Sequence, residues 1–156
     1  MYLTQSLHRS VQQHPDRIAV RAAGRTLSFR AYAERVARLA GALQGLGMQA
    51  GDRVAMLALN STRYLEYQMA VPWGGGVLNP CNIRWSAAEI LYSLEDSGSS
   101  LLLVDDTFRA VVEQMRGQAT SLREVIYCGD GPTPPGMHGY EALLEAASPV
   151  PDAGRC

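Results

Sequence analysis

Gly74-Gly75-Gly76, between Trp73 and the run Val77-Leu78-Asn79-Pro80, is the stretch whose residue types first suggest chemistry. A phosphate loop runs strand, glycine turn, helix N-terminus, because free amides and the helix dipole supply positive potential there. Here the order is helix, glycines, strand, and no Gly-Lys-Ser/Thr follows. The triplet is therefore read as a close-packed helix-to-strand passage. Asp105-Asp106 follow an apolar run and could hold a magnesium ion at a strand's carboxyl end. Asp106 before Thr107 could equally cap the next helix, and capping or turn chemistry is the favoured reading. Asn60-Ser61 are read as helix caps. Asn82, Arg84 and Trp85 stand in a loop just before the capping residue Ser86, and they are the positions expected to approach a substrate.

The remaining candidates have blander readings. His8, His14 and His138 stand apart and are expected to be solvated. Cys81, Cys128 and Cys156 match neither a CxxC spacing nor a disulfide framework, so a reducing cytoplasm is the default and Cys128 is read as an inert buried thiol. Arg30, Arg35 and Arg38, with Glu34 interleaved, read as the polar face of a long helix. All fourteen basic residues are arginine, and the absence of lysine excludes a Lys nucleophile or a P-loop lysine within this chain. A net charge of -1 leaves no basic field for nucleic acid. No apolar run approaches the ~20 residues of a membrane span, although contact with a membrane surface is compatible with the composition.

The elements that must position these residues follow from periodicity. Leu3, Leu7 and Val11 form a short helical stripe before Pro15, and the segment around Gly24 reads as a small N-terminal hairpin. Tyr32, Val36, Leu39, Leu43 and Leu46 mark a long helix stopped near Gly47. The next helix is read with Leu65, Met69 and Trp73 inward and with Pro72 ending or kinking it. Ser86-Ala-Ala-Glu89 is a capping box, with Gly98 as the stop. The runs around Val54–Leu57, Leu101–Val104 and Val125–Tyr127 read as strands covered on both faces. Phe108, Val111, Val112 and Met115 mark one further helix, and Tyr140, Leu143, Leu144 and Ala147 the last. Alternating strands and helices imply an α/β fold, with a mostly parallel sheet and helices on both faces. Residues 1–147 form this subdomain, and 148–156 read as an extended linker.

The order of segments resembles the opening of the AMP-binding, adenylate-forming enzymes, and within them the acyl-CoA synthetases. The resemblance rests on "LSFRAYAERVARLAGAL" and "GGGVLNPCNIRWSAAEI", and it runs from about Pro15 to Asp106, with weaker agreement through "LREVIYCGD". It implies an N-terminal fragment of an ATP-dependent acyl-CoA synthetase, with a fatty acid, ATP, Mg2+ and coenzyme A as the intact enzyme's substrates and cofactors. The family's phosphate loop, acidic magnesium site and catalytic lysine would lie downstream. This fragment is expected to be inactive, to bind no cofactor alone and to self-associate through surface left bare. The alternative is a free-standing flavodoxin- or receiver-like module using Asp105 and Asp106. The sequence differs from the family's usual pattern at Pro72, Gly74–Gly76, Ile83 and Trp85, which bears on acyl-chain preference.

Overall fold

The computed structural model describes residues 2–155. Helix α1 (Gln5–Gln13) leads into a hairpin of β1 (Ile18–Ala22) and β2 (Arg25–Ser28), paired antiparallel around Gly24. Helix α2 (Phe29–Gly45) follows, opened by the Ser28 hydroxyl, which accepts from Ala31 N. Then strand and helix alternate: β3 (Arg53–Leu57), α3 (Thr62–Trp73), β4 (Val77–Pro80), α4 (Ala87–Ser97), β5 (Leu101–Val104), α5 (Arg109–Met115) and β6 (Glu124–Tyr127). A two-residue strand β7 (His138–Gly139) and helix α6 (Tyr140–Ala146) complete the regular structure. The five-stranded sheet runs β4-β3-β5-β6-β7 and every pairing in it is parallel. Strand β7 is not among the strands expected from the sequence.

The sheet carries a core on each face, as the unbroken apolar strands require. Residues from α1, α2, α3 and α6 meet Val54, Met56, Leu101, Leu103 and Ile126 on one side. Ile90 and Leu94 of α4, with Val112 and Met115 of α5, meet Ala55, Leu57, Leu102 and Val104 on the other. Burying each of the Val, Leu, Ile and Met side chains among these contributes about 1.5–3 kcal/mol before conformational entropy is charged against it. Ser86 and Glu89 form the expected capping box, and Gly98 closes α4 in the left-handed conformation at φ 63°.

Two inward faces differ from expectation. In α3 the buried positions are Glu66, Tyr67, Ala70, Val71 and Trp73, while Leu65 is 43% exposed. A carboxylate thus replaces an aliphatic residue on the inward stripe, because Arg35 balances its charge and Tyr140 donates a hydrogen bond to it. Leu3 lies outside α1 and is exposed, which leaves Leu7 as that helix's buried residue.

The glycine triplet is the helix-to-strand passage expected. Pro72 sits in the last turn of α3, where it withholds one N–H from the helix ladder just before the end, and Gly74 is the C-cap. A Cβ at Gly76 would meet Met48 Sδ at 2.7 Å, Val71 Cγ1 at 3.0 Å and Asp52 O at 3.2 Å, so only glycine fits. Gly75 adopts φ +90°. Just above, Tyr67 is fully buried, and its hydroxyl donates to Val54 O (2.6 Å) and accepts from Asn79 N (3.2 Å), fastening β4 to β3.

Residues 148–152 are irregular, Ala153–Arg155 make one 3-10 turn, and the segment is docked against the body. Trp73 Nε1 donates to Val150 O at 2.8 Å, and Val150 N donates to Ala37 O at 3.2 Å. Asp152 is buried and accepts from Thr4 Oγ1 at 2.5 Å. Its Oδ2 also lies 2.7 Å from His8 Nε2, and His8 stacks on Trp73 with ring centroids 4.6 Å apart. His8 is therefore part of a clasp and not a solvated histidine. His138 is likewise engaged, with Nε2 2.9 Å from Glu124 Oε2. Cys156 lies outside the described residues.

Candidate functional site at the carboxyl edge of the sheet

The chain leaves β3 for β4 on one side and then crosses to β5 on the other. In an open parallel sheet such a switch point opens a crevice beyond the carboxyl ends of the strands. A cleft of about 390 Å³ lies there, lined by Asn60, Ser61, Arg63, Asp105, Asp106 and Asp130 and walled by the hairpin turn at Ala22-Ala23.

Its carboxylates are held by the protein itself. Asp105 Oδ2 accepts from Leu59 N (2.8 Å), and Oδ1 accepts from Thr107 N (3.1 Å) and Phe108 N (3.3 Å). The turn-forming residue is therefore Asp105, and not Asp106. Asp106 accepts from the Tyr127 hydroxyl and from Asp130 N (3.0 Å), and these bonds hold its carboxyl below the usual range. Gly129 is required beside it, since a Cβ there would strike the Asp106 carboxylate. Both carboxylates thus organise loops, and this donor set does not fit a metal ion. The receiver-like alternative loses its metal pair. Ser61 is the cap of α3, accepting from Tyr64 N at 3.2 Å.

Arg63 is a cleft residue that the sequence did not single out. Its Nη1 donates to Cys128 O (3.1 Å), Gly129 O (2.9 Å) and Asp130 Oδ1 (3.1 Å). Its Nη2 donates to Glu141 Oε1 at 3.2 Å, and its guanidinium lies 5.3 Å from the Tyr140 ring centroid. Glu141 in turn accepts two bonds from Arg35, at 2.8 and 3.0 Å. Arg35 also grips the fully buried Glu66, Nε to Oε2 at 2.5 Å and Nη2 to Oε1 at 3.1 Å, and Tyr140 Oη donates to the same Oε1 at 2.9 Å.

A chain of alternating charge therefore runs from the core to the loop 128–131 at the cleft. Burial alone would lower the Arg35 pKa, but its bonds to Glu66 and then Glu141 raise it above the ordinary value. Burial would raise the Glu141 carboxyl, and Arg35 followed by Arg63 brings it below its ordinary range. Arg35, expected on a polar surface, is instead the centre of this chain. The only sequence signal for it was Glu66 intruding on an apolar stripe. Tyr140 is raised well above 10 by burial and then by the charge of Glu66.

Asn82, Arg84 and Trp85 lie elsewhere, on the tight turn between β4 and α4. Asn82 Oδ1 accepts from Arg84 N (2.9 Å) and Trp85 N donates to Asn82 O (3.1 Å). Trp85 faces a second groove beside Asn79 and Tyr92 and not the cleft at the switch point. Cys81 and Cys128 are buried free thiols, pushed up to about 11 and about 12 by burial. Among the described residues, the cleft brings together no nucleophile with a base. It offers shape, backbone groups and a fixed loop.

A profile of the family described as AMP-binding enzyme matches residues 7–151, nearly all of the described chain. The chain belongs to the AMP-binding enzyme family. The match extends on both sides of the stretch from Pro15 through "LREVIYCGD" that carries the resemblance in sequence, and it includes the docked segment as far as residue 151. A long-chain-fatty-acid–CoA ligase from Thermus thermophilus is 40% identical over 126 residues, covering 79% of this chain and 23% of that protein. Among solved structures, the anthranilate CoA ligase AuaEII in complex with anthranoyl-AMP superposes with a TM-score of 0.92 at 22% identity, covering 98% of this chain and 30% of that one. ATP-bound MatB from Rhodopseudomonas palustris has a TM-score of 0.76 at 25% identity, covering 94% and 28%. The family's N-terminal α/β architecture is thus the fold of this chain. The chain spans about a quarter of the length of the Thermus ligase.

Proposed function

We propose that this chain is the N-terminal α/β part of an AMP-forming acid–thiol ligase acting on a fatty or related carboxylic acid. The observation that carries the reading is the 40% identity to a long-chain-fatty-acid–CoA ligase over most of this chain. In such a reaction a carboxylate oxygen attacks the α-phosphorus of ATP and pyrophosphate leaves. The sulfur of coenzyme A then attacks the acyl carbon, its proton is lost, and AMP leaves. The Mg2+ that accompanies ATP would be held outside this chain, since Asp105 and Asp106 are already engaged.

In this proposal residues 1–147 are the folded subdomain and 148–156 lead toward the phosphate-loop region. Asn82, Arg84 and Trp85 remain the positions proposed nearest to substrate, and their turn sits at the carboxyl end of β4, outside the charge chain. Two buried free thiols suit a reducing compartment such as the cytoplasm. The test is ATP–pyrophosphate exchange by this chain alone across a series of fatty acids. No exchange is expected, and clear turnover would overturn the assignment of the chemistry to another part of the enzyme.

A further inference from the structure

Strand β4 is an edge of the sheet, and its free side is open. Val77 N and Cys81 N point toward β3, donating to Asp52 O and Met56 O at 2.8 Å each. By the alternation of a strand, the N–H and C=O of Leu78 point away from the sheet. Beside this edge runs a groove of about 550 Å³, lined by Trp85, by Glu89, Tyr92 and Asp96 of α4, and by Asn79 of β4. Val77, Trp85 and Tyr92 are 47%, 37% and 70% exposed. Large apolar groups exposed together mark an interaction surface.

The charge of the groove selects its partner. Its ionised lining residues are Glu89 and Asp96, both carboxylates. Between Arg84 and Arg109 the sequence holds five acidic residues and no basic one. Among the described residues neither Glu89 nor Asp96 has an ion-pair partner. Asn79 donates through Nδ2 to Ser97 Oγ and Ser99 Oγ, both at 3.0 Å, so the group it has left is an acceptor as well. Two carboxylates, an amide oxygen and two aromatic rings together suit a cationic donor. A second copy presenting the same face would bring more carboxylates and no counter-charge. Glu89 and Asp96 stand seven residues apart on one helix, about 10.5 Å along its axis. Three alternate residues on one face of an extended strand span about 13 Å. A strand with basic residues at alternate positions therefore covers both carboxylates while its backbone meets Leu78.

We infer that the β4 edge and the Trp85–Tyr92 groove dock an extended polypeptide segment bearing alternate basic residues, which adds a strand to the sheet at Leu78. Main-chain bonds to Leu78 hold the segment, and its cations meet Glu89 and Asp96 beside the two rings. Pro80, which has no N–H to offer, keeps the added ladder short. Trp85 also belongs to the turn proposed nearest to substrate, so the docking is tested without substrate. Failure of this docking would leave the ligase reading untouched.

The probe is an acetylated, amidated pentapeptide alternating arginine and valine, with its glutamate–valine counterpart as control. Titration into this chain at low salt, followed by tryptophan fluorescence and two-dimensional amide NMR, should show saturable binding of the arginine peptide alone. Shifts should centre on β4 and residues 85–97, and hydrogen exchange of the Leu78 amide should slow at saturation. Asp96→Asn, and Glu89→Gln, which keeps the cap on α4, should each weaken binding about two- to fivefold. Tyr92→Ser, at a position too exposed to serve the core, should weaken it by a similar factor without changing the circular dichroism spectrum. Absence of saturable binding up to about millimolar peptide overturns the inference. Equal binding of the glutamate peptide overturns it too, since the groove would then be selecting apolar residues and not charge. So does an affinity indifferent to all three variants, or a Leu78 amide that exchanges as fast with peptide as without.

Discussion

Replacing Arg35 by methionine keeps an unbranched apolar stem and removes the guanidinium charge, leaving the fully buried Glu66 with the Tyr140 hydroxyl as its remaining partner. An uncompensated buried charge of this kind costs about 3–5 kcal/mol, whereas removing both charges together can be nearly neutral. Arg35→Met should therefore be destabilised by about that amount, a large part of the 5–15 kcal/mol that holds a typical domain together. Glu66→Gln should cost less, about 1–3 kcal/mol, because Arg35 keeps its two bonds to Glu141. Arg35→Met/Glu66→Leu should be more stable than Arg35→Met alone. Urea unfolding followed by circular dichroism at neutral pH reads all three. With an m-value of about 2 kcal/mol/M, the Arg35→Met midpoint falls by about 1.5–2.5 M.

Acid dependence gives a second readout of the same variant. The folded pKa of Glu141 lies below its ordinary value of 4.5, chiefly through Arg35 acting against burial. Its contribution is therefore fully present above pH 4.5 and is lost as pH falls through the lower folded value. Arg35→Met should show a shallower loss of stability in that acid range. A change in neutral-pH stability of less than about 1 kcal/mol would refute the reasoning. So would a double variant less stable than the single.

Other expectations follow from single contacts. Gly76→Ala should destabilise by about 1–3 kcal/mol through forced contact with Met48, Val71 and the Asp52 carbonyl. Gly45→Ala, where a Cβ meets nothing within 4 Å, should be neutral or stabilise by up to about 1 kcal/mol, and thermal melts of the pair check both. Tyr67→Phe should cost about 1–3 kcal/mol by leaving Val54 O and Asn79 N without the bridging hydroxyl, and hydrogen exchange should quicken along β4. Cys81 and Cys128, pushed up to about 11 and about 12, should resist alkylation at pH 8 in the native protein and react in urea, as mass spectrometry of the labelled peptides will show. Asp152→Ala should raise hydrogen exchange in both residues 148–155 and α1, since its carboxylate holds Thr4 and His8.

Local chemistry made much of this fold legible in advance. The Ser86–Glu89 box, the Gly98 cap and the apolar strands each specify their own conformation within a few residues. What could not be read was tertiary pairing. Glu66 sits on a stripe that hydrophobicity alone shifts by one residue to Leu65, because its charge partner Arg35 and its hydrogen-bond donor Tyr140 come from other helices. The docked segment 148–155 looks like a linker because its anchors, Ala37, Trp73, Thr4 and His8, are distant in sequence. Two-residue β7 has no periodicity to detect. At the cleft, either acid of the pair could have made the turn, and only the position of Leu59 N against Asp105 decides between them. The glycine triplet was settled by order along the chain, since the strand follows it.

The most direct test of the account is a hybrid enzyme. The segment of the Thermus thermophilus long-chain-fatty-acid–CoA ligase that matches this chain is replaced by the corresponding residues of this chain, and ATP-dependent acyl-CoA formation is measured with a fatty acid. The account predicts a folded hybrid that forms acyl-CoA within about two orders of magnitude of the parent rate. A folded hybrid that forms neither acyl-adenylate nor acyl-CoA would contradict it.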